Sequence, residues 1–428
     1  MYPNLYYVFR DWFGVEWKFL HFVNSFGFFV AIGFIVCSVV LAKELRRKSK
    51  EGIFQPTEET ITVGHPASVS ELATNFILGF ILGYKILGLA FLKNSLNVNP
   101  QDYIFSSQGN WLAGIALGAV FAAMKWREKN KQKLAKPETR TIRVWPHDRV
   151  GEITMIALIF GLVGAKIFDT FENWDSFIKD PASIFSASGL TFYGGLILAG
   201  IALWWFTRKH KIPFIHFVDV MGPVMMLAYA LGRIGCQVSG DGDWGIYNAA
   251  FKTTPTGGIL PAVQGDFEAA VNANAEFFAR HDTHHTFFSK PGFLRFLPDW
   301  FFAYDFPHNV NETGVRLANC VDLQYCNHLP VPVFPTSLYE IIVCLILFGI
   351  LWMIRKKIKV PGLLFGIYLV FNGLERFMIE RIRVNVKMHF LGIEMTQAQL
   401  ISFAIMLGGI AMIVFAQTNY KKTKPTTV

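Results

Sequence analysis

This chain contains nine long apolar blocks with few charged residues, and these blocks strongly limit the folds that it can adopt. Each is close to the roughly 20 residues that cross a bilayer as a helix, and lipid-embedded backbone must satisfy its own hydrogen bonds. Only 17% of the residues are charged, against about a quarter in soluble domains. The sequence therefore predicts an all-α polytopic membrane protein with about nine transmembrane helices, at residues 20–42, 72–93, 110–126, 150–171, 190–207, 215–236, 336–354, 360–376 and 396–416.

The basic residues lie in short clusters between these blocks. The net charge of +9 therefore has the pattern of cytoplasmic loops and does not indicate nucleic-acid binding. All clusters share one side if the N-terminus lies outside and the C-terminus in the cytoplasm. The first residues lack the features of a cleavable signal, so we expect the first span to be retained. The clusters are KELRRKSK (43–50), KWREKNKQK (125–133), RKHK (208–211), RKKIK (355–359) and KKTK (421–424).

The apolar blocks and one long polar segment divide the chain into three predicted regions. Residues 1–236 hold six spans, and residues 336–428 hold three spans and a cytoplasmic tail. Residues 237–335 contain no continuous apolar run, so they predict a small extracytoplasmic head of loops and short elements.

The head contains two cysteines, Cys320 and Cys326, in CVDLQYC. On the oxidising side of a membrane they are candidates for a disulfide, and thiolate metal ligation is the weaker alternative. Three histidines in HDTHH (281–285) are interpreted as solvated rather than zinc-binding. We therefore predict no metal site and no cofactor.

A weak internal repeat relates residues 72–126 to residues 150–207. GYKI (83–86) and GAKI (164–167) lie at nearly the same offset as IFSSQG (104–109) and IFSASG (184–189). The two copies have the same orientation, which makes this a parallel repeat. Transporters are often built from repeats, and chance similarity in low-diversity membrane sequence is an equal alternative.

Arginines recur at the outer ends of two spans, where a charge is expensive and usually functional. Arg233 lies in LGRIGCQVSGDGDWG (231–245), and Arg376 lies in ERFMIERIR (375–383) with Glu380 and Arg383. Arg376, Glu380 and Arg383 share one face if the helix continues. An interfacial cluster of snorkelling arginines is the structural alternative.

Two guanidinium groups at headgroup depth favour a phosphate, because arginine offers planar bidentate donors and keeps its charge. The glycines that follow Arg233, including Gly240 and Gly245, allow backbone N–H groups to approach an anion. A phospholipid headgroup is the anion expected at that depth.

Four ordered motifs resemble the prolipoprotein diacylglyceryl transferase family. GRIGCQVSGDGDWG (232–245) resembles the GRxGNFxNxExxG signature of that family. PTSLYE (335–340) resembles its HPSQLYE, NGLERFMIERIR (372–383) its YGxxRFxxExxR, and TQAQLIS (396–402) its last span. The stretch from GAKIF to TFYGGLI (164–197) resembles the family's second span, outer arm and third span.

Several positions depart from the family pattern. Tyr193 stands where the family has the histidine of HGG, Cys236 where it has asparagine, and Asn372 where it has tyrosine. Phe26 stands at its first-span tyrosine, and one inserted residue leaves Asp241 or Asp243 in place of its glutamate. The two spans at 72–93 and 110–126 are additional to the family's seven.

The resemblance implies transfer of the diacylglyceryl group of phosphatidylglycerol to the lipobox cysteine of prolipoproteins at the bacterial inner membrane. It implies catalytic roles for Arg233, Arg376, Glu380 and Tyr193. It implies that phosphatidylglycerol is bound by Arg233, Arg376, Arg383, Gly240, Asp241, Asp243, Gly245 and Tyr339. The alternative hypothesis is a transporter or flippase of an anionic lipid or metabolite that uses the same arginines.

Overall fold

The computed structural model describes residues 1–88, 103, 106–181, 184, 189, 191–322, 324–384, 387–390 and 393–423. The chain is mostly helical, and a long helix coincides with every predicted apolar block, so the all-α membrane class is confirmed. The helices are α1 (Leu5–Phe13), α2 (Ser25–Lys50), α3 (Val69–Leu82, followed by a π-helical turn at Gly83–Leu87), α4 (Trp111–Lys131), α5 (Val150–Glu172), α6 (Trp174–Lys179), α7 (Phe192–Lys209), α8 (Phe214–Ser239), α9 (Asp266–Ala273), α10 (Ala275–Phe278), α11 (Thr336–Ile354), α12 (Leu363–Ile379) and α13 (Gln397–Thr423).

Six helical segments among the described residues are long and apolar enough to cross a membrane. They are Ser25–Lys50, Val69–Leu87, Pro146–Glu172, Phe214–Ser239, Thr336–Ile354 and Gln397–Tyr420. Helices α4, α7 and α12 are shorter or less uniformly apolar. The chain is therefore a multi-pass membrane protein, and the number of nine crossings stays a prediction. Residues 89–93 of the second predicted span lie outside the described residues.

Short strands form five two-stranded sheets in the described residues. The longest pair, β1 and β2, is antiparallel, with Thr57 opposite Val144 and Val63 opposite Glu138. Both strands lie in segments predicted as cytoplasmic loops. The strands are β1 (Thr57–Val63), β2 (Glu138–Val144), β3 (Tyr247–Asn248), β4 (Phe251–Thr253), β5 (Ile259–Pro261), β6 (His285–Thr286), β7 (Val315–Arg316), β8 (Asn327–His328), β9 (Lys387–Phe390) and β10 (Ile393–Thr396).

The described residues separate into two compact units. The first unit contains Met1–Gly14, Val23–Leu41 and Ile215–Val428. The second unit contains Val15–Phe22 and Ala42–Phe214. The proposed division at 237–335 falls inside the first unit, which holds both apolar helices and the head.

The second unit contains two helical hairpins, α3 with α4 and α5 with α7, that repeat the same contacts at an offset of 81 residues. The Asn110 N–H donates to the Tyr84 carbonyl oxygen, as the Thr191 N–H does to that of Ala165. The Lys85 Nζ donates to the carbonyl oxygen of Gln108 at 2.8 Å, as the Lys166 Nζ does to that of Gly189 at 3.4 Å. These contacts give the sequence repeat a structural counterpart.

Glycines let the helices of each hairpin pack closely. A Cβ atom on Gly164 would lie 2.4 Å from the Gly194 carbonyl oxygen, and one on Gly83 would lie 2.3 Å from that of Ala113. Small residues at helix contacts are the usual solution in membranes, where dispersion and not the hydrophobic effect holds helices together.

The apolar core of the first unit lies between α8, α11 and α12. It contains Met226, Ala230, Cys344, Leu351 and Tyr368, all buried. The buried carboxylate of Asp219, on α8, accepts bonds from the Gly362 and Phe365 N–H groups at 2.8 and 2.9 Å. Asp219 thereby satisfies donors at the start of α12 that have no partner within that helix.

The head has its own small core, which includes Tyr247, Phe306, Leu329 and Val333. A disulfide joins Cys320 and Cys326, whose Cα atoms lie 5.7 Å apart. The other described cysteines, Cys37, Cys236 and Cys344, are free and buried. The head is built of loops and short elements, in the form that its composition predicts.

Candidate active site

Five charged side chains from separate stretches of the first unit meet at one end of its helices. Arg233 lies near the end of α8, Glu340 in the second turn of α11, and Arg376 near the end of α12. Asp243 lies in the loop after α8, and Arg383 follows α12 in an extended conformation. The ends of α8 and α12 and the start of α11 therefore define the site.

Glu340 is the centre of this cluster. Its side chain is fully buried, and its Oε2 lies 3.0 Å from the Arg233 Nε while its Oε1 lies 3.1 Å from the Arg376 Nη1. The Tyr229 hydroxyl donates to Oε1 at 2.7 Å. One buried carboxylate thus orients two guanidinium groups. The low local dielectric strengthens both ion pairs, so the two groups are held firmly in place.

Asp243 joins Arg233 to the third arginine. Its two carboxylate oxygens pair with the guanidinium groups of Arg233 and Arg383. The hydroxyls of Thr336 and Ser337 each donate to the Asp243 backbone carbonyl oxygen at 2.8 Å. The start of α11 therefore fixes the loop that presents this carboxylate.

The glycines of this loop determine its path. Gly240 and Gly242 have φ values of +67° and +96°, a backbone conformation that favours glycine. A Cβ atom on Gly245 would lie 2.6 Å from the Ile382 carbonyl oxygen. The N–H groups of Gly240 and Gly245 donate to the carbonyl oxygens of Cys236 and Phe334. These two N–H groups hold the loop itself, so an anion would have to displace those bonds to use them.

The end of α12 corrects one expectation. Arg376, Glu380 and Arg383 do not share one helical face, because α12 ends at Ile379 and a 3₁₀ turn follows. Arg376 still pairs with Glu380 at 3.3 Å, since these residues are one turn apart. Arg383 is extended and forms a β-bridge with Gly245, which brings it to Asp243. Arg381 is exposed and lies over the Phe377 ring.

The cluster retains unused hydrogen-bonding capacity. Buried atoms without a hydrogen-bond partner include Arg383 Nη1, Asp241 Oδ1 and both carboxylate oxygens of Glu375. The side chains of Arg233, Arg376 and Arg383 are 14%, 20% and 15% exposed. Burial and the neighbouring Arg233 charge lower the pKa of Arg383 to about 10, so it stays charged at neutral pH. Buried polar atoms usually have partners, and their absence here favours a site that accepts a ligand.

Two predicted site residues, Tyr339 and Tyr193, are not among these five side chains. The Tyr339 hydroxyl donates to the Phe301 carbonyl oxygen at 2.5 Å and so contacts the head. Tyr193 lies on α7 of the second unit, and its part in the site stays a prediction.

One group of potential metal ligands lies beside the arginines. The ligand atoms of Cys236, Asp241 and Asp243 lie within 4.8 Å of one another. The Arg233 Nη1 is 3.7 Å from the Cys236 sulfur, and Asp243 already pairs with two guanidinium groups. The positive charge of these groups opposes a cation, so the arrangement suits an anion better.

Sequence reasoning missed two residues that hold the arginines in place, Glu340 and Tyr229. Glu340 ends the PTSLYE motif, but the motif predicted a site role only for its neighbour Tyr339. The missed signal was a carboxylate placed one turn inside an apolar span, where a charge needs a partner. Tyr229 has no comparable signal, because aromatic residues are common near the ends of spans.

Buried arginines held by carboxylates at the ends of apolar helices form a candidate anion-binding site in a multi-pass membrane protein. Comparison with known families agrees: residues 109–415 match the family described as prolipoprotein diacylglyceryl transferase. The chain belongs to that family, so the resemblance noted in its motifs is confirmed. All the cluster residues lie inside the match, whereas α2, α3 and Phe26 lie before it.

Three relatives carry the name phosphatidylglycerol–prolipoprotein diacylglyceryl transferase. The protein of Chlorobaculum tepidum is 27% identical over 71% of this chain and 83% of its own length. That of Dehalococcoides mccartyi is 25% identical over 78% and 99%, and that of Clostridium novyi is 26% identical over 64% and 82%. The family and these names describe an enzyme that transfers a group, and they do not favour a transporter.

Proposed function

We propose that this protein transfers the diacylglyceryl group of phosphatidylglycerol to the lipobox cysteine thiol of a prolipoprotein. The products are a thioether on the precursor and free glycerol phosphate. The observation that carries this proposal is the convergence of Arg233, Arg376 and Arg383 around two shared carboxylates. The names of the relatives state the same lipid donor and the same class of acceptor.

The arginines suit the bond-breaking step. The precursor thiolate attacks the carbon of the diacylglyceryl unit that carries the phosphate. The bond between this carbon and the phosphate oxygen breaks, and its electron pair leaves with the phosphate of the glycerol phosphate product. Arg233 and Arg376 are positioned by Glu340 before the reaction, so they stabilise the departing charge without reorganising. The partnerless Arg383 Nη1 supplies a further donor. Glu380 supports Arg376 from the next turn.

The thiol proton needs an acceptor, because a thiolate attacks far better than a thiol. Both oxygens of Asp243 pair with arginines, which makes Asp243 a positioning residue. The Asp241 Oδ1 has no hydrogen-bond partner and lies in the same loop, so we assign Asp241 as the proton acceptor. A neutral tyrosine is a poor base near neutral pH, so Tyr193 does not accept the thiol proton. We assign its hydroxyl a role in binding or orienting the substrate.

The proposed location is the bacterial cytoplasmic membrane, with the N-terminus outside and the C-terminus in the cytoplasm. The one-sided distribution of the basic clusters supports this orientation. A topology reporter fused after residue 420 should be active only in the cytoplasm. A periplasmic signal from that fusion, or cleavage of residues 125–147 by external protease in intact cells, would overturn the orientation.

A defined reaction tests the function. Purified protein in nanodiscs with phosphatidylglycerol and a lipobox peptide should give a peptide heavier by one diacylglyceryl group, and free glycerol phosphate in equal amount. A peptide with serine in place of the cysteine is the matched control and should stay unmodified. Unchanged cysteine peptide, together with lipid movement between the leaflets of vesicles, would replace the transferase by a transporter.

Two aspartate variants test the assignment within the loop. Asp241→Asn should lower turnover most at low pH, where thiolate is scarce, and activity should recover as the pH approaches the thiol pKa. Asp243→Asn should lower turnover at every pH, because it releases two arginines. Identical pH profiles for Asp241→Asn and the parent would remove Asp241 as the acceptor.

A further inference from the structure

The head carries an aromatic loop, residues 287–300 (FFSKPGFLRFLPDW), that turns its largest apolar side chains outward. Phe293 is 81% exposed and Phe296 is 78% exposed, and Phe287 and Trp300 are also exposed. Exposed apolar side chains scattered singly are normal, but a group of large aromatics within one loop marks an interaction surface.

The outward direction of these rings follows from how the loop is built. Leu294 and Leu297 pack against the head core formed by Ala250, Phe251, Phe302 and Ala303. The N–H groups of Leu294 and Leu297 donate to the carbonyl oxygens of Pro291 and Leu294, at 2.9 and 3.0 Å. This spacing of three residues is typical of 3₁₀ turns. It turns the two leucines inward, while Phe293 and Phe296, each directly before one of them, point outward.

The aromatic loop is attached at both ends to the start of an apolar helix. The Phe288 ring lies 6.0 Å from that of Phe334, and the Phe301 ring next to the loop lies 5.3 Å from that of Tyr339. The Tyr339 hydroxyl also donates to the Phe301 carbonyl oxygen. Since α11 begins at Thr336 and is a candidate membrane-spanning helix, the loop lies beside the end of an apolar span.

The charges of the loop fit the same location. Arg295 lies between the two phenylalanines and is exposed. The acidic Asp299 pairs with Lys290 at 3.0 Å, so the arginine is the charge that the loop presents. Aromatic rings with a flanking cation are typical of segments that lie at the boundary between headgroups and acyl chains.

We propose that the aromatic loop is an interfacial membrane anchor, with Phe293 and Phe296 in the lipid and Arg295 at the lipid phosphates. The rings project outward from two short turns, which suits a fluid lipid surface better than a precursor peptide or a second copy of this chain. The inference does not depend on the proposed transferase activity.

Spin labels on the full chain test the position of the loop. Phe293→Cys, Phe296→Cys and the control Val263→Cys, an exposed apolar head residue, are labelled and placed in nanodiscs of phosphatidylcholine with phosphatidylglycerol. At positions 293 and 296, collisions with lipid-soluble oxygen should be several-fold more frequent than at 263, and collisions with a water-soluble nickel chelate several-fold rarer. Nickel accessibility equal to that at 263 would overturn the anchor.

The same measurement separates lipid from protein as the occupant. A label that is immobilised and shielded from both oxygen and nickel would show a protein contact, and would also overturn the proposal. Nanodiscs of phosphatidylcholine alone, and the variant Arg295→Gln in the mixed nanodiscs, should each make the label at 293 shallower. An unchanged depth in both would remove the role of Arg295.

Discussion

Two arginine clusters of the described residues have different partners, one around Arg149 in the second unit and one around Arg233 in the first. Arg149 is 4% exposed and pairs with Glu59 and Glu152, which are about half exposed, and its Nη2 donates to the Thr57 hydroxyl at 3.3 Å. Arg233 and Arg376 share Glu340, whose side chain is fully buried.

We infer from this difference that Arg149 has a structural role and Arg233 a functional one. The Arg149 guanidinium joins β1 to the start of α5, and none of its atoms is a buried group without a hydrogen bond. Around Arg233, the arginines are linked by shared carboxylates and polar atoms stay without partners. Burial alone therefore does not distinguish the two clusters, whereas shared carboxylates and buried polar atoms without hydrogen bonds do.

Replacement of the guanidinium groups in the Arg233 cluster should cause the largest loss of transfer activity. Arg233→Lys and Arg376→Lys should each lower transfer to a lipobox peptide on the order of a hundredfold to a thousandfold, because an ammonium lacks the planar fork that holds two oxygens. Membrane insertion and folding should stay near normal. The matched control is the exposed Arg381→Lys, which should keep the parent rate. Parent-like rates in both site variants would make the arginines structural.

Loss of the shared carboxylate should have the next largest effect. Glu340→Gln keeps the shape but leaves two buried guanidinium groups without their common partner, and breaking a buried pair costs about 3–5 kcal/mol. We expect a lower thermal midpoint together with a fall in activity of roughly tenfold or more. The exposed Glu268→Gln on the head should change neither. A parent-like midpoint and rate for Glu340→Gln would show that each arginine holds its position independently.

A smaller effect is expected at Tyr193. Tyr193→Phe removes one hydroxyl, and a neutral hydrogen bond is worth about 1 kcal/mol, or roughly a fivefold loss in turnover. Tyr193→Leu copies Leu112, the residue at the equivalent place in the other hairpin, and tests the ring as well. If both variants turn over at the parent rate, the chemistry belongs to the first unit alone.

The smallest effect on activity should come from the structural cluster. Arg149→Lys should cost about 1 kcal/mol of stability, because its carboxylate partners are partly solvated. Transfer activity of the folded protein should stay within about twofold of the parent. The ion pairs of Arg149 with partly solvated carboxylates contribute to stability and little else. A large loss of activity at normal stability would end the distinction between the two clusters.

The apolar helices, the arginines at their ends and the Cys320–Cys326 pair could all be predicted from sequence, because each depends on a local pattern of residues. Long apolar blocks predict helices because backbone groups in lipid must bond within the segment, and the structure has a helix at each block. Arginines at block ends stood out for the same reason, since a charge at such a place is costly. Cys320 and Cys326 are close in sequence, so their proximity in space needed no knowledge of the fold.

Which carboxylate pairs with which arginine depends on the tertiary structure and does not follow from local sequence. Glu340 is 107 residues from Arg233 and reaches it because the start of α11 lies beside the end of α8. The end of α12 at Ile379 turned Arg383 away from the helical face and toward Asp243. The pairing of β1 with β2 likewise joins residues about 80 positions apart. Local periodicity reports only which residues share a face within one element, whereas ion pairs between elements depend on how those elements pack.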